Sequence, residues 1–226
     1  MPGRDRHASE LRAVAPLIVA GAAPQLVGTV MLVANGPRVV GVTSAELLRP
    51  LHGAQLAIVT KLDGSTSVPV TSWGMGRYSG IGLVELGEQT LPVDHDITPL
   101  SIGDINASVN VHGAPAAIVA MIATAAGYER VFVPVHVDVD DGAGMTDHLV
   151  YLASPDEPEH AAVAVEGSPV FAWLPPDPAL GRLGETVAFA LAYPYRAQVA
   201  RPRDTAVIAE LAGLEDLGRA LMIAPA

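Results

Sequence analysis

The chain has 226 residues, half of them hydrophobic, with 24 acidic and 13 basic side chains and no cysteine. This composition excludes an intrinsically disordered chain, which is poor in apolar residues, and the lack of cysteine excludes disulfides and thiolate metal sites. The net charge of −11 argues against a nucleic-acid partner, because binding to phosphates needs a basic surface.

The N-terminal segment carries the residues from which secretion or a cytoplasmic location is predicted. Arg4 and Arg6 precede an apolar run over residues 13–23, a pattern similar to a secretory signal. Asp5 interrupts the basic part and Pro16 interrupts the apolar run, so we expect a cytoplasmic protein and keep secretion as the alternative. No run reaches the roughly 18–20 apolar residues that span a bilayer, and we expect no membrane contact.

The first half of the chain is typical of a small antiparallel barrel. Asn35 with Gly36, and Asp63 with Gly64, favour the positive φ angles of tight turns between strands. Residues 87–108 lack periodicity and are predicted to link two halves of the molecule. Six strands are predicted in this half, near residues 14–20, 27–34, 38–43, 55–62, 66–73 and 81–86.

The second half repeats this pattern until Pro202, after which the apolar residues follow a helical spacing. Six strands are predicted, near residues 109–120, 129–138, 147–153, 161–165, 168–174 and 185–199, and Asp141 with Gly142 marks one turn. The residues of the helical stripe are Val207, Ile208, Leu211, Leu214 and Leu221. We therefore expect an all-β fold of two six-stranded antiparallel β-barrels with a C-terminal α-helix. The expected parts are 1–102 and 103–204 for the barrels and 205–226 for the helix.

Three segments resemble the trypsin-like (chymotrypsin-fold) serine peptidases, particularly the bacterial members without disulfides. Residues 28–33 and 39–48 are similar to the family pattern GTGFLV…VVTAAHVL, and residues 80–86 are similar to DIALLKL. Residues 164–171 are similar to GDSGSPVF. The order of these segments agrees with the double barrel expected from the strand pattern.

The resemblance implies that all three positions of the catalytic triad are replaced. Glu46 stands at the position of the histidine, Gly80 at that of the aspartate and Glu166 at that of the serine. A serine becomes nucleophilic only when an imidazole accepts its proton and a carboxylate orients that imidazole. We therefore expect no catalytic residue. The candidate cleft is formed by Glu46, Ala164, Glu166, Gly167 and Ser168.

These features favour a non-catalytic domain, a pseudoprotease, that binds a protein or peptide as a regulatory or scaffold module. One alternative is a hydrolase that uses carboxylate chemistry at Glu46 and Glu166, and another is a structural subunit of an assembly. Ser168 is expected to be structural, with its hydroxyl bonded to the backbone. The identity of the partner and the oligomeric state, whether of identical or different chains, stay open.

No cofactor or metal ion is expected. Two carboxylates are too few ligands for a divalent cation, which usually takes more oxygen ligands. Asp138 begins an acidic run that ends in a glycine, but Leu149 stands where a calcium loop requires a glutamate. A single lysine, Lys61, and abundant alanine suggest a bacterial source.

Overall fold

The computed structural model describes residues 8–75, 80–86, 91–101, 105, 114–140, 147–152, 166–176, 178–179, 184–194 and 207–213. Within these residues the chain is mostly β-structure, arranged in two sheets. Two short helices, α1 (Ala8–Leu11) and α2 (Ala45–Leu48), accompany the first sheet. Neither has the length or the apolar character that a membrane-spanning helix needs.

The first sheet has eight strands in the order β5-β4-β1-β2-β3-β7-β6, and β8 pairs in parallel with β2. The bounds are β1 (Val14–Val19), β2 (Gln25–Asn35), β3 (Arg38–Ser44), β4 (Leu56–Val59), β5 (Ser67–Pro69), β6 (Ser72–Met75), β7 (Ile81–Glu85) and β8 (Leu100–Ser101). The turn between β2 and β3 contains Gly36 with a φ of 61°, as the sequence predicts.

The segment predicted as one strand over 66–73 is broken into β5 and β6, so the first sheet does not have the six strands expected. Val70 donates its backbone N–H to Leu56 and Thr71 donates its N–H to Glu85, at 2.9 Å each. Leu56 belongs to β4 and Glu85 to β7, on opposite sides of the sheet. The bend at these two residues therefore brings the two edges of the sheet together, which gives it the curvature of a barrel.

The second sheet is a closed barrel of six strands in the order β10-β11-β14-β13-β12-β9. Its strands are β9 (Ala116–Thr124), β10 (Gly127–Asp140), β11 (Asp147–Leu152), β12 (Pro169–Leu174), β13 (Glu185–Pro194) and β14 (Val207–Gly213). The strand predicted near 161–165 and the turn at Asp141 and Gly142 lie outside the described residues. The number of strands agrees with the sequence, but the set of strands differs.

The difference is β14, which stands where the sequence predicts the start of the C-terminal helix of residues 205–226. Ala209 pairs with Val150 of β11 on one side and with Pro194 of β13 on the other. The helical spacing of its apolar residues is overridden because this segment fills the gap between β11 and β13 and thereby closes the barrel. The prediction of a helix is wrong for Val207–Gly213, and residues 214–226 lie outside the described part of the chain.

An apolar cluster joins the two barrels. Val119, Met121 and Phe171 of the second barrel pack in the same buried cluster as Val14 and Met31 of the first barrel. Successive residues of a strand point to opposite faces, so Ile118, next to Val119, belongs to a separate cluster inside the second barrel. Burial of apolar side chains from both barrels therefore holds the two sides of the cleft together.

Shortening the chain distinguishes a barrel strand from an appended helix at residues 207–213. A chain that ends at residue 206 loses the partner of both β11 and β13, and we expect it to show no cooperative unfolding transition in urea. A chain that ends at Gly213 keeps β14, and we expect it to keep that transition. Circular dichroism during urea titration measures both; an equal midpoint for the two chains would contradict this assignment.

Candidate functional site

Glu46 lies in the first turn of α2, directly after the last strand residues of β3. Ser44 caps this helix by accepting a hydrogen bond from the backbone N–H of Leu47 at 3.0 Å, which fixes where the helix begins. The Glu46 carboxylate forms an ion pair with Arg49, with Oε1 2.8 Å from Nη1. Because Arg49 is exposed, the pair stabilises the helix by no more than about 1 kcal/mol. It nevertheless engages the carboxylate with Arg49, the residue that directly follows α2.

The backbone of Gly80 also contacts the start of α2. Its carbonyl oxygen accepts a hydrogen bond from the N–H of Ala45 at 2.7 Å, and Ser44 pairs with Ile81 across β3 and β7. Two residues later, a Cβ on Gly82 would lie 2.8 Å from the carbonyl oxygen of Ser44. The start of α2 therefore packs directly on the backbone of this strand, and Gly80 contributes a carbonyl group but no side chain.

Residues 166–168, here called the elbow, lead into β12. Gly167 has a φ of 74°, a left-handed conformation that favours glycine. Its N–H donates to the carbonyl of Ala192 at 2.8 Å, and the N–H of Ala192 donates to the carbonyl of Ser168 at 2.8 Å. This pair of bonds fixes the elbow against β13.

The elbow also contacts the first barrel. The hydroxyl of Thr43 lies 3.3 Å from the carbonyl oxygen of Gly167 and 2.8 Å from that of Thr29. A Cβ on Gly167 would overlap the hydroxyl of Thr43 and lie 3.0 Å from the N–H nitrogen of Ser44. The structure therefore brings the elbow, which carries Glu166, against the start of the helix that carries Glu46. Ala164 of the predicted cleft lies outside the described residues.

Ser168 is fully buried, and its hydroxyl has no hydrogen-bond partner among the described residues. Among the described residues this hydroxyl bonds to no backbone group, contrary to the expectation from the sequence. A nucleophilic serine needs a base within hydrogen-bond reach. In the part of the chain that the structure describes, no base lies within hydrogen-bond reach of the Ser168 hydroxyl.

The described residues contain no group of three histidine or carboxylate side chains placed to hold a metal ion. Glu46 and Glu166 therefore do not form part of such a group in the described regions. Side-chain positions are not described for Asp138, which begins the acidic run of the sequence. The chemistry beside the cleft is that of carboxylates and backbone groups, and the hydroxyls of Thr29 and Thr43 are buried in hydrogen bonds within the protein.

Sequence reasoning missed the two threonines. Thr29 and Thr43 lie in segments that resemble the family pattern, but hydroxyls in strands are ordinarily found at the surface. Both are buried, and the hydroxyl of Thr29 accepts a hydrogen bond at 2.9 Å from the backbone N–H of Met121 in the second barrel. The available signal was polarity itself, since both residues stand among apolar side chains on paired strands.

Comparison with known proteins identifies the fold through similar solved structures, without a match in sequence. No protein-family model and no curated protein sequence matches the chain. The clip serine protease Grass of the Drosophila Toll pathway is similar in structure, with a TM-score of 0.58, 10% identity, and coverage of 96% of this chain and 69% of that one. Human heparin binding protein is also similar, with a TM-score of 0.57 and 12% identity. The match covers 97% of this chain and 95% of that one.

The protease domain of MamO from Magnetospirillum magneticum is similar as well, with a TM-score of 0.53 and 12% identity. The match covers 94% of this chain and 97% of that domain. At these identities the likeness establishes the fold alone. The chain therefore has the trypsin-like double-barrel fold that its motifs resemble.

Two glycines in left-handed conformation allow the contact at the elbow to be separated from backbone strain. Gly36 has open space around its missing Cβ, so Gly36→Ala should cost only the strain of the positive φ, about 1–2 kcal/mol. Gly167→Ala adds the overlap with Thr43, which we expect to cost about 1–3 kcal/mol more. Urea denaturation of the two variants measures the difference in free energy of unfolding. Equal losses would show that the elbow does not press on the first barrel.

Proposed function

We propose that this chain is a non-catalytic trypsin-like domain that binds an extended segment of a protein or peptide in the cleft between its barrels. The observation that carries the proposal is the identity of three residues. Glu46, Gly80 and Glu166 occupy the positions that the sequence resemblance assigns to the base, its orienting acid and the nucleophile. The contact of the Gly80 carbonyl with Ala45 and the approach of the elbow to Ser44 at the start of α2 support this assignment.

The chemistry of these residues opposes serine-type catalysis. Glu46 is paired with Arg49, and Gly80 has no group that orients a base. A carboxylate at residue 166 would repel the oxyanion that develops in acyl transfer, where such enzymes ordinarily place hydrogen-bond donors. In a well-studied serine protease, removal of triad members costs on the order of a million-fold in turnover. Acyl transfer at this cleft therefore lacks its nucleophile, its base and its orienting acid.

The framework that presents the cleft does not depend on catalytic side chains. The cap at Ser44, the bonds between the elbow and β13, and the contact of Thr43 with Gly167 involve backbone groups and hydroxyls. Two of the similar structures are named as proteases, which act on polypeptide chains. A cleft that receives an extended chain uses main-chain hydrogen bonds and side-chain pockets, and neither requires a nucleophile.

Two other functions receive less support. The name of human heparin binding protein refers to a polyanion, whereas this chain has a net charge of −11, which disfavours polyanionic ligands. Hydrolysis by a pair of carboxylates would need Glu46 to exchange protons with substrate. The Glu46 carboxylate is already engaged in an ion pair with Arg49, so the alternative based on Glu46 and Glu166 is the weaker one.

A fluorophosphonate probe of serine hydrolases tests the absence of a nucleophile. We expect no labelling of the native chain under conditions in which trypsin is labelled completely, and no cleavage of a mixed peptide library. Ser168→Ala is the matched control, because it removes the only serine of the elbow. Labelling that disappears in Ser168→Ala would overturn the proposal, and peptide hydrolysis that disappears in Glu166→Gln would establish the carboxylate hydrolase instead.

A further inference from the structure

Arg130 of β10 makes an unusual contact between the barrels. Its Nε donates to the carbonyl oxygen of Val14 at 3.0 Å, and its Nη2 lies 3.4 Å from the carbonyl oxygens of Arg12 and Asp96. All three acceptors are backbone carbonyl groups of residues that precede the second barrel in the sequence. The planar guanidinium suits this task, because it presents several N–H donors in a fixed fork.

The guanidinium is partly buried at this contact. Burial lowers the pKa of Arg130, while the carboxylate of Asp96 acts in the opposite direction and Arg12 adds to the lowering. An arginine stays charged in proteins, so the hydrogen bonds to the three carbonyls offset the loss of hydration. Arg130 is therefore held by backbone carbonyls on the side of the first barrel while it stays partly exposed.

A continuous set of contacts leads from Arg130 to the elbow. Arg130 lies directly opposite Met121 in the pairing of β9 and β10. The N–H of Met121 donates to the hydroxyl of Thr29, and the carbonyl of Thr29 accepts from the hydroxyl of Thr43. The same hydroxyl of Thr43 lies within hydrogen-bond distance of the carbonyl of Gly167. The steps from Met121 to Gly167 join buried groups, where hydrogen bonds are electrostatically stronger than in water.

Thr43 is the point at which this path affects the elbow. Its hydroxyl has one proton and two acceptors, the carbonyl of Thr29 at 2.8 Å and that of Gly167 at 3.3 Å. The position of Thr29 therefore decides how that proton is shared. Val14, whose carbonyl accepts from Arg130, pairs with Met31 on β2, two residues from Thr29, so Arg130 contacts the strand that is paired with the one carrying Thr29.

We propose that Arg130 is a positioning residue for the elbow and that it acts through Met121, Thr29 and Thr43. When Arg130 is removed, β10 loses its hydrogen bonds to the carbonyls of Val14, Arg12 and Asp96, the hydroxyl of Thr43 shifts between its two acceptors, and the elbow opens more often from β13. The inference goes beyond the proposed function, because it concerns the elbow whether or not a peptide occupies the cleft.

A double-mutant cycle with Arg130→Met and Thr43→Val tests this coupling in the full chain. The readout is hydrogen exchange of the Gly167 amide, which bonds to Ala192, measured by NMR and corrected for the global free energy of unfolding. We expect each single variant to accelerate this exchange by roughly tenfold and the double variant by much less than the product, because coupled residues are not additive. The amide of Ile58 in β4 should change only with global stability.

Glu129→Gln is the matched control, since Glu129 is an exposed charged residue adjacent to Arg130 on the same strand. It should leave the exchange of the Gly167 amide unchanged. Arg130→Lys keeps a cation without the planar fork and serves in place of Arg130→Met if that variant does not fold. Additive effects in the cycle, or a Gly167 amide that follows only the global stability in the Arg130 variants, would overturn the inference. Neither result bears on peptide binding, so the proposed function is tested separately.

Discussion

The buried contact surface between the two barrels is the constraint on which the rest of the structure depends. The chain has no cysteine, so cross-links do not contribute to holding the barrels together. Apolar side chains such as Met31, Val119 and Phe171 are removed from water between the barrels, each with a transfer free energy of about 1.5–3 kcal/mol. The strands that cross this surface carry backbone groups that need partners, and Thr29 and Thr43 provide them.

The contacts that shape the candidate site belong to this buried contact surface between the barrels. Ser44 both ends β3 and caps α2, and Gly167 both turns the elbow and contacts Thr43. These contacts use backbone geometry and hydroxyl groups, which are independent of the side chains at the positions that the sequence resemblance assigns to the triad. A chain can therefore have Glu46, Gly80 and Glu166 at these positions and keep the fold, because folding requires the contacts and only catalysis requires the side chains.

Local patterns in the sequence were sufficient to predict most strands. The short apolar and β-branched runs in Val14–Val19 and in Arg38–Ser44, together with the glycine turn between β2 and β3, reflect preferences that act over a few residues. The motifs predicted the double barrel because their order along the chain agrees with two sets of strands. The placement of Gly80 beside the start of α2 also follows from the paired motifs.

The errors lie where partners are distant in sequence. The helical spacing of Val207 and Ile208 is a local signal, whereas β14 forms because β11 and β13 leave a gap that it fills. Thr43 and Gly167 are 124 residues apart, and no spacing rule predicts their contact. Nor does one predict that the hydroxyl of Ser168 has no partner among the described residues. Arg130 resembles a surface residue in the sequence because its partners are carbonyl groups, which every residue has.

The central claim is that a framework built around the inter-barrel contact binds an extended chain without cleaving it. A crystal structure of the protein with a peptide selected from a random library by affinity tests this claim most directly. We expect an intact peptide between α2 and the elbow, with main-chain hydrogen bonds to the protein and the contact of Thr43 with Gly167 preserved. A peptide cleaved in the cleft, covalently attached to Ser168, or bound away from α2 and the elbow would contradict it.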